Sequence, residues 1–140
     1  MELPTALRQA VDRYLEGTPL AALREAADRL SRRYRAETRD GRMHLDDDIA
    51  IKAYLAARLP ATYAAILASM EQVAYATPGF RPRTLIDIGA GPGSVLWAAS
   101  DCWESLETAT LIEASAAARK AGMALSENAA LPATLWQAGD

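Results

Sequence analysis

One stretch constrains this chain more than any other: a short apolar run over 84–88 that leads into three glycines at alternate positions, Gly89, Gly91 and Gly93. Thr84-Leu85-Ile86-Asp87-Ile88 is β-branched or leucine apart from one acid, which predicts a strand buried in a sheet. Val95-Leu96-Trp97-Ala98-Ala99, just beyond the glycines, predicts a helix reaching to about Trp103. Strand, glycine turn and helix in that order are how an α/β protein offers a helix N-terminus to a nucleotide-like ligand. Gly89 permits the tight turn, Gly91 lets a ligand approach the backbone, and Gly93 lets the helix pack close to the strand.

Asp87 narrows the ligand. A strand inside a parallel sheet is buried on both faces, so a carboxylate there is costly unless it is bonded. At the carboxyl end of the strand it can face a ligand crevice and accept bonds from turn amides or a ligand ammonium. Gly89-x-Gly91-x-x-Ser94 lacks the third glycine of the dinucleotide fingerprint, which disfavours an NAD-dependent oxidoreductase. Asp87-Ile88-Gly89-Ala90-Gly91-Pro92-Gly93 instead resembles motif I of the class I S-adenosylmethionine-dependent methyltransferases.

The unit continues as an α/β reading requires. Residues 108–112 predict a second buried strand, and Glu113 stands at its end, 24 residues beyond Gly89. That spacing suits an acid that binds ribose hydroxyls, although a helix cap or a solvated loop acid fits it too. An alanine-rich helix is expected over 114–126, an exit at Asn128 and Pro132, and a third strand over 133–136. In methyltransferases with this motif an acid just after the third strand contacts the adenine amino group, which points to Asp140. A fourth strand of that class pairs with the first, so strand 1 is expected to be an open apolar edge. The chain is therefore expected to be the N-terminal part of a longer protein. It supplies cofactor binding but not the residues that act on a methyl acceptor.

Residues 1–76 predict helices only. The first starts at Pro4-Thr5, buries Leu7, Ala10, Val11, Tyr14 and Leu15, and stops at Gly17. Thr18 is expected to cap the second, with Pro19 in its first turn and Leu20, Leu23, Ala27 and Leu30 as its stripe. Residues 38–43 and His44 are expected to form a polar loop. Asp46-Asp47-Asp48 opens a third helix, where acids suit the macrodipole better than they suggest a metal site. Pro60 predicts a break after Leu59, and the helix over 61–76 turns Tyr63, Ile66, Leu67, Met70 and Val73 to one side. Residues 77–83 read as a Pro/Gly-rich linker between a helical segment, 1–76, and an α/β segment, 84–140.

Charge is unevenly spread. Residues 1–60 carry eleven Arg or Lys against ten acids, whereas 61–140 carry four against eight. Within 29–42 stand Arg29, Arg32, Arg33, Arg35, Arg39 and Arg42, opposed by Glu37 and Asp40. Arg32, Arg33 and Arg35 are candidate contacts to RNA phosphates, and pairing with Glu25, Asp28 or Glu37 at helical spacing is the competing account. The single cysteine, Cys102, excludes an internal disulfide or a cysteine metal cage within these residues. No apolar run reaches the length of a membrane span, no secretory signal is visible, and a cytoplasmic setting is expected. The arginine and alanine usage fits a bacterial chain from a GC-rich genome.

The order of segments itself carries a resemblance. Leu3-Pro4 with Ala6-Leu7-Arg8 comes first, followed by Leu30-Ser31-Arg32-Arg33-Tyr34-Arg35. Tyr54-Leu55-Ala56-Ala57-Arg58-Leu59-Pro60-Ala61-Thr62-Tyr63-Ala64-Ala65 and the glycine turn complete the set. Together they resemble the methyltransferase-like family of the mitochondrial small ribosomal subunit and its bacterial relatives. Arg58 to Tyr63 is the most specific part. The resemblance implies a class I methyltransferase fold, S-adenosylmethionine binding and association with small-subunit ribosomal RNA during assembly. It also implies an iron–sulfur or other metal site in a C-terminal part, to which Cys102 does not correspond. Arg58 and Tyr63 are expected near the cofactor mouth, since helices before strand 1 cover it; ordinary packing is the alternative. Two function classes stand: an RNA methyltransferase, or a non-catalytic ribosome-assembly or RNA-binding factor on a methyltransferase fold.

Overall fold

The computed structural model describes residues 2–36 and 45–140; the loop expected over 38–43, His44, Arg39 and Arg42 lie outside them. Four helices, α1 (Thr5–Leu15), α2 (Leu20–Arg35), α3 (Asp48–Ala57) and α4 (Leu59–Ala76), precede an alternating unit. That unit is β1 (Thr84–Ile88), α5 (Ser94–Cys102), β2 (Thr108–Glu113), α6 (Ala116–Ser126) and β3 (Ala133–Ala138). Its three strands are parallel in the order β1-β2-β3, with Ile88 opposite Ile112 and Glu113 opposite Ala138. This is the helical segment and the first half of a Rossmann-like sheet that the sequence predicts.

Local chemistry sets most of the boundaries, and two differ from expectation. Asp47 caps α3, its side chain accepting from the Ala50 amide at 2.8 Å, and Asp48 sits in the first turn where the macrodipole favours an anion. Lys52, 3.0 Å from Asp48, lowers the Asp48 pKa chiefly through their hydrogen bond. Thr18 does not cap α2. Pro19 occupies that position with no side-chain bond, because a fixed φ already suits the helix entry. The break between α3 and α4 falls at Arg58, one residue earlier than Pro60 suggested. Pro60 is accommodated in the first turn of α4, where its missing N–H goes unused. Leu20 and Val73, expected in the buried stripes, are exposed; Ala26 takes the buried place in α2 beside Leu30.

One core cluster joins the two segments. Leu7, Ile51, Leu55, Leu59 and Tyr63 from the N-terminal helices pack with Trp97, Ala98, Ala118, Ala121 and Leu125 from α5 and α6. The Ser115 hydroxyl, which caps α6, also donates to the Leu45 carbonyl and pins the start of α3 to the α/β unit. Among the described residues no helix is long and apolar enough to cross a membrane.

The sheet is covered on one side. Ala109 and Leu111 are buried under the helices, with Leu85 and Trp136 packed against them. The opposite face shows Ile86 at 68 %, Ile88 at 67 % and Leu135 at 54 % exposure. The sequence predicts strand 1 as an open edge buried on both faces. Among the described residues β1 is indeed paired on one side only, but its outer face is bare as well.

Candidate ligand crevice

The crevice forms where β1 and β2 end. Gly89, Gly91 and Gly93 all take left-handed conformations, with φ of +77°, +55° and +94°. No other residue type enters that region so cheaply, so three in one turn explain the three glycines. The amides of Gly89 and Ala90 both donate to the Ile112 carbonyl, at 2.8 and 3.1 Å, which fastens the turn to the end of β2. A side chain built on Gly89 or Gly91 would meet nothing within 4 Å. Open space therefore lies in front of both residues, as a ligand approaching the backbone requires.

Two carboxylates converge here. Glu113 is half-buried, and its Oε2 accepts from the Gly91 amide at 2.6 Å while Oε1 accepts from the Ser115 amide at 2.9 Å. The acid at the end of β2 thus binds the glycine turn and the entry to α6 at once. Arg119 donates to the backbone carbonyls of Glu113 and Ala114 and steadies the segment that carries the acid. Asp87, beneath the turn on β1, has its Oδ2 buried without a hydrogen-bond partner among the described residues. Burial, and then the negative charge of Glu113, raise its pKa above the ordinary carboxylate value. The Ser94 hydroxyl, in the first turn of α5, is buried and unpartnered too.

These features suit a ligand that carries both a cation and hydroxyl groups. A buried acid with an open acceptor position suits a ligand ammonium, and an acid beside the second strand suits ribose hydroxyls. Asp140 follows β3 by two residues and is exposed, with the Gly139 amide 3.4 Å from the Glu113 carbonyl. Asp87, Gly89, Ala90, Gly91, Pro92, Gly93, Glu113 and Asp140 thus gather at the carboxyl ends of parallel strands, where α/β sheets bind ligands.

Arg58 and Tyr63 are engaged elsewhere. The Tyr63 hydroxyl donates a short hydrogen bond to Asp101, in the last turn of α5. Ser94 opens that helix seven residues earlier, so the bond lies about 10 Å along the axis from the glycine turn. Burial, followed by the Asp101 hydrogen bond and charge, pushes the Tyr63 phenol far above its usual range. Arg58 stacks its guanidinium over the Tyr34 ring, 4.2 Å from the centroid, and ties the α3–α4 junction to the end of α2. Both side chains have packing partners, that of Tyr63 on α5 and that of Arg58 on α2.

Arg32, Arg33 and Arg35 occupy the last turn of α2, where cations suit the helix dipole. Arg32 and Arg35 are exposed and Arg33 is half-buried. Arg29 pairs with Glu25 at 2.9 Å, in the i,i+4 arrangement. Among the described residues no three His, Cys, Asp or Glu side chains converge to hold a metal. Sequence reasoning passed over Ser94, Trp136 and Gly122; a lone glycine inside the alanine-rich helix was the available signal for the last.

Among known proteins, a family described as mitochondrial small ribosomal subunit Rsm22 matches residues 48–139. The human mitochondrial ribosome assembly protein METTL17 is 42 % identical over 65 residues, which is 46 % of this chain and 14 % of METTL17. A candidate RNA methyltransferase from Pyrococcus horikoshii, PH1948, superposes with a TM-score of 0.45 at 18 % identity, over 84 % of this chain and 50 % of its own. The mitomycin 7-O-methyltransferase MmcR gives 0.46 at 22 % identity, over 99 % of this chain and 42 % of its own. The chain matches half or less of the length of each of these three proteins.

Proposed function

Because the chain belongs to the family of the mitochondrial small ribosomal subunit protein Rsm22, we propose that it is an S-adenosylmethionine-binding, methyltransferase-like protein acting on or with small-subunit ribosomal RNA. One observation carries the cofactor assignment. The Asp87 Oδ2, buried and without a hydrogen-bond partner among the described residues, lies behind a glycine turn whose front is open, with Glu113 bonded to the middle of that turn. Asp87 would hold the ammonium of the amino-acid end, and Glu113 the ribose hydroxyls. Asp140, beyond β3, would meet the adenine amino group. The cofactor supplies an electrophilic methyl group; the residues here bind and orient it.

The ribosomal partner is supported by the family and by the name of METTL17, a ribosome assembly protein. Arg32, Arg33 and Arg35 offer guanidinium groups at the end of α2 for RNA phosphates. Calorimetric titration with S-adenosylmethionine and S-adenosylhomocysteine tests the cofactor assignment. Saturable binding of both is expected, with binding lost in Gly91→Arg, which fills the open space before the turn. Equal heats from Gly91→Arg and the unsubstituted protein would remove the assignment.

A further inference from the structure

Among the described glycines, Gly122, inside α6, is where an added Cβ meets the closest contacts. A Cβ there would stand 2.2 Å from Cη2 and 2.4 Å from Cζ2 of Trp136, and 3.1 Å from the Pro92 carbonyl oxygen. The same two indole atoms lie 3.4 Å from the place of a Cβ on Gly93, and Leu111 Cδ2 lies 3.7 Å from it. The benzo edge of Trp136, on β3, is therefore wedged between the glycine turn and α6, with one glycine on each side. Away from the wedge, Trp136 lines a groove of about 670 Å³ together with Met123, Leu131 and Pro132.

We infer that Trp136 is a positioning residue for the ligand-binding turn, acting through Gly93, and that Gly122 is the notch that admits its ring. Its consequence for binding rests on the adenosyl-ligand reading above. A turn with three residues in the left-handed region has little side chain of its own to hold it. The Ile112 carbonyl fixes its start and Glu113 its middle. The indole fixes its end, at the residue from which α5 departs. Close-packed interiors transmit such contacts, because a ring with no room on one side cannot relax toward it.

Gly122→Ala, Trp136→Phe and the double variant test this in the full chain. The readouts are the Gly91 and Gly93 amide resonances, calorimetry with S-adenosylhomocysteine and the melting temperature. Gly122→Ala drives the indole against the turn, so both amides shift and affinity falls by at least roughly ten-fold. Adding Trp136→Phe removes the clashing atoms and restores part of that affinity, a coupling that a merely structural glycine would not produce. Should Gly122→Ala fail to fold, Trp136→Phe alone carries the test through the same amides. Unmoved Gly91 and Gly93 amides in the folded variants overturn the inference, as does an equal affinity loss in Gly122→Ala with and without Trp136→Phe. If the unsubstituted chain does not bind S-adenosylhomocysteine, the adenosyl reading fails, and the amide shifts still decide the positioning role.

Discussion

The carboxylate of Glu113 accepts the Gly91 amide at 2.6 Å, joining the end of the second strand to the middle of the glycine turn. A charge-assisted bond to a backbone amide at that length is among the stronger tethers a turn can have. The acid thus holds the turn, and under the proposed cofactor assignment it has a second task, meeting the ribose.

The two tasks predict a combined loss in Glu113→Ala. Affinity for S-adenosylhomocysteine should fall by ~1–3 kcal/mol, and protection of the Gly91 amide from hydrogen exchange should fall with it. Calorimetry and exchange measured on the same variant make the check. Lost affinity with unchanged Gly91 protection would confine Glu113 to ligand contact.

Asp87 predicts two opposite pH dependences. Its folded pKa is raised above the ordinary 3.8, so the folded state prefers the protonated acid. Its contribution to stability is therefore favourable at low pH and declines as pH rises from the unfolded value through the folded one. Asp87→Asn should be the more stable protein above that window, as read by urea unfolding. Binding runs the other way: a ligand ammonium favours the ionised acid, so affinity should climb with pH through the same window and the reaction should release protons. A flat pH profile of affinity, equal to that of Asp87→Asn, would remove Asp87 from the ammonium site.

Tyr63→Phe separates packing from crevice chemistry. It deletes the bond to Asp101 that ties α4 to α5, and should cost about 1–2 kcal/mol of stability. Affinity for S-adenosylhomocysteine should not change, because that bond lies at the far end of α5 from the glycine turn. A marked affinity loss in a variant of normal stability would return Tyr63 to the cofactor mouth.

For the end of α2, the expected readout is salt dependence. Replacing Arg32, Arg33 and Arg35 with glutamine should lower the slope of log affinity for small-subunit ribosomal RNA against log salt. The decrease should be ~1 for each phosphate that an arginine no longer neutralises. Melting temperature controls for folding. An unchanged slope would leave these arginines as charges that serve the helix dipole.

Much of the fold was legible because its signals are local. An apolar β-branched run, three alternate glycines and a following apolar run specify strand, turn and helix without reference to distant residues. The acids at the start of α3 and Glu113 at the end of a strand follow from position in the same way. Less legible were Thr18, displaced as a cap by Pro19, and Pro60, absorbed into the first turn of α4. In both cases two acceptable local solutions compete, and packing against neighbouring helices selects one.

The sequence by itself determined the element order, the left-handed glycine turn and the acids placed at the strand ends, since backbone conformation and strand periodicity are properties of neighbours along the chain. Only the tertiary structure decided what those acids touch. It gave Glu113 to the Gly91 amide, left the Asp87 Oδ2 buried without a partner among the described residues, sent the Tyr63 hydroxyl to Asp101, and set Trp136 between Gly93 and Gly122. It also left Ile86 and Ile88 bare on a strand whose composition promised burial on both faces. Such contacts join residues from separate elements, and their distances are fixed by how sheet and helices close-pack, which no local pattern encodes.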